Sequence, residues 1–271
     1  MVAFGRALAD AGLSHVLDFH DPTANAFLSE REKRSIAAAV SAVRGEKRGL
    51  GIGMARVRAD MIALRTVAID TAVRDAIAGG ATQLVILGAG YDGRAWRLRA
   101  LAGVNVFEVD HPATQNDKRA RVAELSPSIG RVTFVPMNFE HDSLDAVLQR
   151  VGHDASSPTC WVWEGVVMYL TRDAVRATLA NVARRSAPGS ALILNYHAML
   201  RGFFMRLIFR LIGEPQISAW TAEEMAAELR SAGFEVEEDS GMIDWNQRFA
   251  RGRSKAGRFG FMRVVVARLR R

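Results

Sequence analysis

The chain has 271 residues, 49% of them apolar, enough to fill the core of one large α/β domain and too many for a disordered chain. Its formal net charge is +7, but 32 of the 36 basic residues are arginine, a skew that a GC-rich coding genome explains without a phosphate-binding surface. A single cysteine, Cys160, excludes an internal disulfide, and its place in Cys160-Trp161-Val162-Trp163 marks it as a buried structural thiol.

Residues 1–80 read as a helical cover. Met1 to Leu17 is interrupted by Arg6, Asp10 and His15 and carries no cleavage signal, so the expected location is the cytoplasm. From Thr23 to Ala78 the pattern is helical except around Gly45, Gly49, Gly51 and Gly53, expected to form a loop between two helices. The second helix sets Met61, Leu64, Ala68, Ile69, Ala72, Val73 and Ile77 at helical spacing.

Residues 81–198 then alternate apolar runs with helical patterns. Strands are expected at Leu84 to Leu87, Val104 to Val109, Val132 to Pro136, Cys160 to Trp163 and Ala191 to Asn195. Helices are expected at Arg94 to Ala102, Ala113 to Leu125, Ser143 to Val151 and Arg172 to Ser186. This rhythm predicts an α/β fold with a doubly wound, mostly parallel sheet.

Residues 199–220 begin with an apolar stretch that is too short, and with Arg206 and Arg210 too charged, to span a bilayer, so no membrane association is expected. Two readings stand for it: a lid that offers Phe203, Phe204 or an arginine such as Arg201 to a substrate, or a plain amphipathic helix. In residues 221–271, Thr221-Ala222-Glu223-Glu224 is a capping box for a helix from Glu223 to Ala232 that Gly233 stops. Strands follow at Phe234 to Glu238 and Phe261 to Leu269; joined by a polar loop without a clear helix, they suggest a hairpin and hence one antiparallel strand. The nine basic residues from Arg248 to Arg271 read as a solvated face and tail rather than an RNA-binding patch, and the whole chain reads as one domain.

The most specific feature is the first strand running into Gly88-Ala89-Gly90-Tyr91-Asp92-Gly93 ahead of a helix, which is the layout of a nucleotide-cofactor site. A side chain at Gly88 or Gly90 would hold a ligand off the backbone, and such turns use φ values that other residues resist. Gly88, Gly90 and Gly93 also spell GxGxxG, the dinucleotide pattern. After the second strand come two acids, Glu108 and Asp110, the latter 22 residues beyond Gly88, where a carboxylate takes ribose hydroxyls. NAD(P) and S-adenosylmethionine both fit that much. The helical cover ahead of the turn, the helix-strand-strand ending, and the lack of a hydride-transfer constellation after Glu164-Gly165 favour S-adenosylmethionine.

Three runs then carry a resemblance in order and spacing: Leu87-Gly88-Ala89-Gly90-Tyr91-Asp92-Gly93-Arg94-Ala95-Trp96-Arg97-Leu98, Phe107-Glu108-Val109-Asp110-His111-Pro112, and Trp163-Glu164-Gly165-Val166-Val167-Met168-Tyr169-Leu170. Together with Asp21-Pro22-Thr23-Ala24, Phe27-Leu28, Leu64-Arg65-Thr66 and Ile69-Asp70, they resemble the leucine carboxyl methyltransferase family of class I S-adenosylmethionine-dependent enzymes, in its bacterial small-molecule O-methyltransferase branch. The likeness is dense from Met61 to Tyr196. It implies a Rossmann-like sheet of seven strands, S-adenosylmethionine as cofactor and S-adenosylhomocysteine as its product.

The resemblance also implies roles. Arg65 would match the family arginine near the cofactor's carboxylate, the alternative being a helix-surface arginine. Gly88, Ala89 and Gly90 would bring backbone N–H groups to the methionine moiety, and Asp110 would hold the ribose, with Glu108 as second choice. Where the family has Asp-Leu after the third strand, this chain has Asn138-Phe139, and the amide oxygen of Asn138 still accepts from the adenine amino group. Glu164 would face the cofactor's ammonium end or else cap a helix. Tyr169 matches a family tyrosine close to the substrate or else packs in the core. Gly93 departs from the family pattern near Tyr91 and Asp92, where cofactor would meet substrate.

Methyl transfer from a sulfonium is an in-line displacement that needs alignment and exclusion of water. The family includes enzymes that esterify carboxylates of peptides and polyketide-like metabolites, so the expected partner is a small-molecule or peptide acceptor, and a carboxylate needs no base. His197 is the best candidate base, against the alternative of a surface histidine, and His111 reads as a cap for the following helix or as packing near the cofactor. The six histidines show no metal-ligand spacing, and no metal is expected. An NAD(P)-dependent oxidoreductase and a non-catalytic cofactor-binding protein remain the alternatives.

Overall fold

A computed structural model describes residues 2–17, 19–45, 49–123, 125, 131–139, 141–198 and 217–270. Arg201, Phe203 and Phe204 of the expected lid lie outside the described residues. The core is a seven-stranded sheet in the order β3-β2-β1-β4-β5-β7-β6. Its strands are Gln83–Leu87 (β1), Asn105–Asp110 (β2), Val132–Pro136 (β3), Thr159–Trp163 (β4), Ala191–His197 (β5), Phe234–Gly241 (β6) and Met262–Leu269 (β7). The first five run parallel, and β7 is antiparallel to both β5 and β6, so it is the one reversed strand of the described sheet.

Every residue of β1, β4 and β5 is buried, because each strand is covered on both faces. One face carries Val2–Leu8 (α1), Glu30–Arg44 (α2), Leu50–Ala78 (α3), Arg94–Arg97 (α4) and Pro112–Val122 (α5). The other carries Leu144–Arg150 (α6), Arg172–Arg184 (α7) and Ala222–Ser231 (α8). Met242–Ala250 (α9) returns to the first face through Met242 and Trp245. Ser143 and Thr171 accept from the first turns of α6 and α7, and Thr221 and Glu224 close on α8 the reciprocal capping box read from the sequence. Cys160 is buried as expected, and burial pushes its thiol up to about 12.

The structure corrects three expected elements. Gly51 and Gly53 lie inside α3, not in a loop, because glycine costs a helix only about 1 kcal/mol and, unlike proline, removes no donor. The helix expected to Ala102 ends at Arg97: Leu98 takes extended ψ, and a 3₁₀ turn, Arg99–Leu101, drops Leu101 into the core. Strands β6 and β7 pair antiparallel, yet α9 and a 3₁₀ turn, Lys255–Arg258, connect them instead of a hairpin loop. Helix α9 starts where Gly241 N–H donates to Asp244 Oδ2 at 2.9 Å. Its nine residues interleave Asp, Asn, Gln and Arg with the apolar positions, which hid its period in the sequence.

The N-terminal cover is pressed onto the glycine turn. A short 3₁₀ helix, Pro22–Phe27, lays Thr23 against Gly93 so closely that a Cβ there would sit 2.1 Å from Thr23 Oγ1. Gly93 is therefore a packing glycine. Gly93→Ala forces the cover off the turn, and denaturant unfolding is expected to show a loss of about 1–3 kcal/mol, typical of overpacking. An unchanged midpoint would refute the contact.

Candidate active site

Strand order reverses between β1 and β4, and in open α/β sheets the crevice beyond such a switch point is where ligands bind. A cleft of about 240 Å³ opens there, lined by Gly88 to Asp92 from the exit of β1, Glu164 and Gly165 from the exit of β4, Arg65 from α3 and Arg6 from α1. A second cavity, about 190 Å³, lies between α3, α9 and strands β6 and β7 and shares none of these residues.

Gly88 and Gly90 both take positive φ, 65° and 46°, as the turn requires. Gly88 has a further reason: a Cβ would lie 2.5 Å from Val166 Cγ2. The N–H groups expected to meet a methionine moiety are engaged within the protein. Gly88 N and Ala89 N donate to the Val109 carbonyl at 2.8 and 3.1 Å, and Gly90 N donates to the Asp110 carboxylate. The turn thus offers a ligand its bare Cα surface, not a row of open donors.

Beneath the cleft lies a buried ion network. Arg94, 1% exposed, donates from Nε to Asp70 at 2.8 Å, from Nη2 to Glu164 at 2.8 Å and from Nη1 to Asp92. Arg97 takes the other oxygen of Asp70 at 2.5 Å, Arg65 Nε donates to Glu164 at 2.8 Å, and Arg6 and Arg97 each lie 3.3 Å from Asp21. The set balances: Arg6, Arg65, Arg94 and Arg97 against Asp21, Asp70, Asp92 and Glu164. Burial opposes the charges of Arg94, Arg97, Asp70, Asp92 and Glu164, yet Asp92 is held at about 2, chiefly by Arg94. Glu164 is lowered by Arg65 and Arg94, and Asp70 by Arg97 and Arg94, against the same opposition.

Arg65 is therefore no helix-surface arginine, and Glu164 is no helix cap. Asp110 stands at the end of β2, where its carboxylate accepts from Gly90 N and, at 2.6 Å, from His111 N; each oxygen keeps a lone pair for a hydroxyl. Glu108, the second choice for a ribose, is corrected: it is 0% exposed and 2.5 Å from Lys118 of α5, so it has no surface to offer. Burial raises its carboxyl to about 7 in spite of Lys118. His111 caps α5 as expected, accepting from Ala113 N at 3.3 Å.

Asn138 leaves β3 partly buried, its N–H donating to Asp142 at 2.8 Å, with Phe139 exposed beside it. Tyr91 stacks on Phe27 at 5.1 Å and donates its hydroxyl to Asp117, a bond that raises its pKa; its carbonyl accepts from Arg6. Tyr169, 39% exposed on the 3₁₀ turn after β4, is not a core residue. His197 is not a surface residue: it is 8% exposed at the end of β5, edge-on to Phe261 at 5.1 Å.

Reading the sequence gave no site role to Arg6, and named Asp21, Asp70, Arg94 and Arg97 only within the runs that carry the resemblance and Asp92 only as near the cofactor mouth. Charges inside otherwise apolar helical stretches, such as Arg6 in Val2-Ala3-Phe4-Gly5-Arg6-Ala7-Leu8, were the available signal. Their placement also bears on the dinucleotide pattern. A pyrophosphate would need the N-terminus of α4. There Asp92 already accepts from Arg94 N at 2.8 Å, Thr23 covers Gly93, and α4 has only four residues.

Seven strands with β7 reversed, and a cleft at the β1/β4 switch point, define the class I methyltransferase fold. The chain superposes on a Thermobifida fusca YX structure provisionally named a methyltransferase, with TM-score 0.58 over 98% of this chain and 94% of that one at 16% identity. It also superposes on magnesium protoporphyrin IX methyltransferase from Synechocystis PCC 6803, with TM-score 0.51 over 79% and 83% at 14% identity. The sequence profile of the leucine carboxyl methyltransferase family matches residues 1–183, and the chain belongs to that family. Two relatives are provisionally named S-adenosyl-L-methionine-dependent methyltransferases. One, from Streptomyces coelicolor, is 36% identical over 163 residues, covering 60% of this chain and 56% of the relative. The other, from Mycobacterium tuberculosis, is 35% identical over 197 residues, covering 72% and 63%. The match thus spans less than two thirds of either relative's length.

Two pH effects follow. Because the folded state lowers Asp92 from 3.8 to about 2, its contribution is present above 3.8 and lost as pH falls towards 2. Glu108 has the opposite sign: raised from 4.5 to about 7, it destabilises the fold as pH rises through that window. His153, lowered from 6.5 to about 4, works against it by adding stability over part of the same range. Glu108→Gln should therefore gain stability relative to the unsubstituted protein as pH rises from 4.5 to about 7. A pH-independent difference in denaturant midpoints would refute the shift.

Proposed function

We propose that the chain is an S-adenosylmethionine-dependent methyltransferase that methylates an oxygen, foremost a carboxylate, of a small-molecule or peptide acceptor. The observation that carries the reading is the pairing of Arg65 with Glu164 at the cleft. Arg65 donates from Nε to Glu164 Oε1 at 2.8 Å, and its Nη2 lies 2.8 Å from the same oxygen, so a buried guanidinium and a carboxylate meet at the wall of the cleft. A zwitterionic amino-acid end fits that pair, with its carboxylate on Arg65 and its ammonium on Glu164. Asp110 keeps lone pairs for ribose hydroxyls, and Asn138 with the exposed ring of Phe139 suits the adenine.

S-adenosylmethionine held there supplies an electrophilic methyl group. Family membership, the names of the relatives and the obstructed α4 terminus all support this cofactor over NAD(P). A carboxylate acceptor arrives ionised at neutral pH, so the chain's residues have to orient it and exclude water. Tyr169 and His197 follow β4 and end β5 on the same edge of the sheet as the glycine turn, which supports an acceptor approaching from that side.

Isothermal titration should show S-adenosylhomocysteine binding and no response to NADH; the reverse would sink the reading. Asp110→Ala is expected to weaken that binding about tenfold to a hundredfold, the worth of ~1.5–3 kcal/mol for a hydrogen bond to a charged group. Undiminished affinity would remove Asp110 from the ribose. Transfer of labelled methyl to carboxylic-acid acceptors should give a base-labile ester, and a base-stable product would rule out the carboxylate.

A further inference from the structure

We propose that Asn195 is a positioning residue for the cofactor cleft, acting through the turn at Gly165; the inference rests on the methyltransferase reading above. Asn195 lies in β5 with its side chain fully buried. The parallel pairing of β4 with β5 ends at Trp163 opposite Leu194. Beyond it the strands part, because Gly165 takes φ 72° and carries the chain away.

The Asn195 amide spans that gap. Its Oδ1 accepts from Gly165 N at 3.2 Å, and its Nδ2 donates to the Arg263 carbonyl of β7 at 2.9 Å. The partners decide the orientation, since an N–H needs the oxygen and a carbonyl needs the nitrogen. One side chain thus stitches the turn after β4 to β5 and β7, just beyond the end of the β4–β5 ladder.

Two groups flank the stitch. Glu164, directly before Gly165, presents its carboxylate to Arg65 and Arg94. Val166, directly after it, packs under the glycine turn, 2.5 Å from where a Cβ on Gly88 would sit. A shift of the turn therefore moves the acid of the cleft and the support of the glycine turn together. An aliphatic residue at 195 would leave the Gly165 N–H and the Arg263 carbonyl without this partner, and the turn would relax to find others.

Asn246 supplies an internal control. It is a buried amide with the same two-bond pattern, donating to Ser254 O at 3.0 Å and accepting from Ser254 N at 3.0 Å, but it joins α9 to the loop after it. Asn195→Ala and Asn246→Ala should both lower the melting temperature. Only Asn195→Ala should also raise the Kd for S-adenosylhomocysteine, about tenfold or more, when titrated well below melting. Should Asn195→Ala not fold, Asn195→Ser, which keeps a short hydrogen-bonding oxygen, serves the same comparison. A Kd equal to that of the unsubstituted protein in a folded Asn195 variant overturns the proposal and leaves the methyltransferase reading standing. An unsubstituted protein that binds no S-adenosylhomocysteine overturns both.

Discussion

Arg94 carries a permanent charge with only 1% of its side chain exposed, and the arrangement around the cleft follows from satisfying it. Moving such an ion out of water costs several kcal/mol unless geometry and hydrogen bonds compensate. Three carboxylates do so, each from a different segment: Asp70 from α3, Asp92 from the glycine turn and Glu164 from the exit of β4. Those acids recruit Arg97 and Arg65, and Asp21 brings in Arg6 from α1. Removing any one member leaves a buried charge uncompensated, so the network specifies how the cover, the long helix and two strand ends meet.

The cleft is an outcome of that balance. Arg65 and Glu164 serve the network and the cleft with the same atoms, and a guanidinium beside a carboxylate at the cleft wall is what makes the pair suited to an amino-acid end. The glycine turn contributes shape more than hydrogen bonds, since its N–H groups go to Val109 and Asp110. Two of its glycines are required by neighbours: Gly88 by Val166 and Gly93 by Thr23. A GxGxxG spelling arises here from packing, with an acid at the helix terminus that a pyrophosphate would need.

Much of this fold was legible in the sequence. Strands β1, β4 and β5 are buried on both faces, and a run such as Leu84-Val85-Ile86-Leu87 between breakers has few other readings. The capping box at Thr221 located the start of α8 to within a residue. What escaped was local structure without a strong period, as in α9, and structure overridden from outside, as where Leu98 leaves helical geometry so that Leu101 reaches the core.

The site divides the same way. The sequence by itself determined the sheet's rhythm, the glycine turn with its left-handed φ values and the acid Asp110 at a strand end, because these depend on residues close together in the chain. Only the tertiary structure decided which charges meet. Arg65 and Glu164 are 99 positions apart, and no local pattern pairs them. Glu108 and Asp110 share one face of β2, yet Lys118 of α5 closes over the first and leaves the second at the edge. Burial and distance, both properties of the folded chain, separate an acid that holds the structure from an acid that faces a ligand.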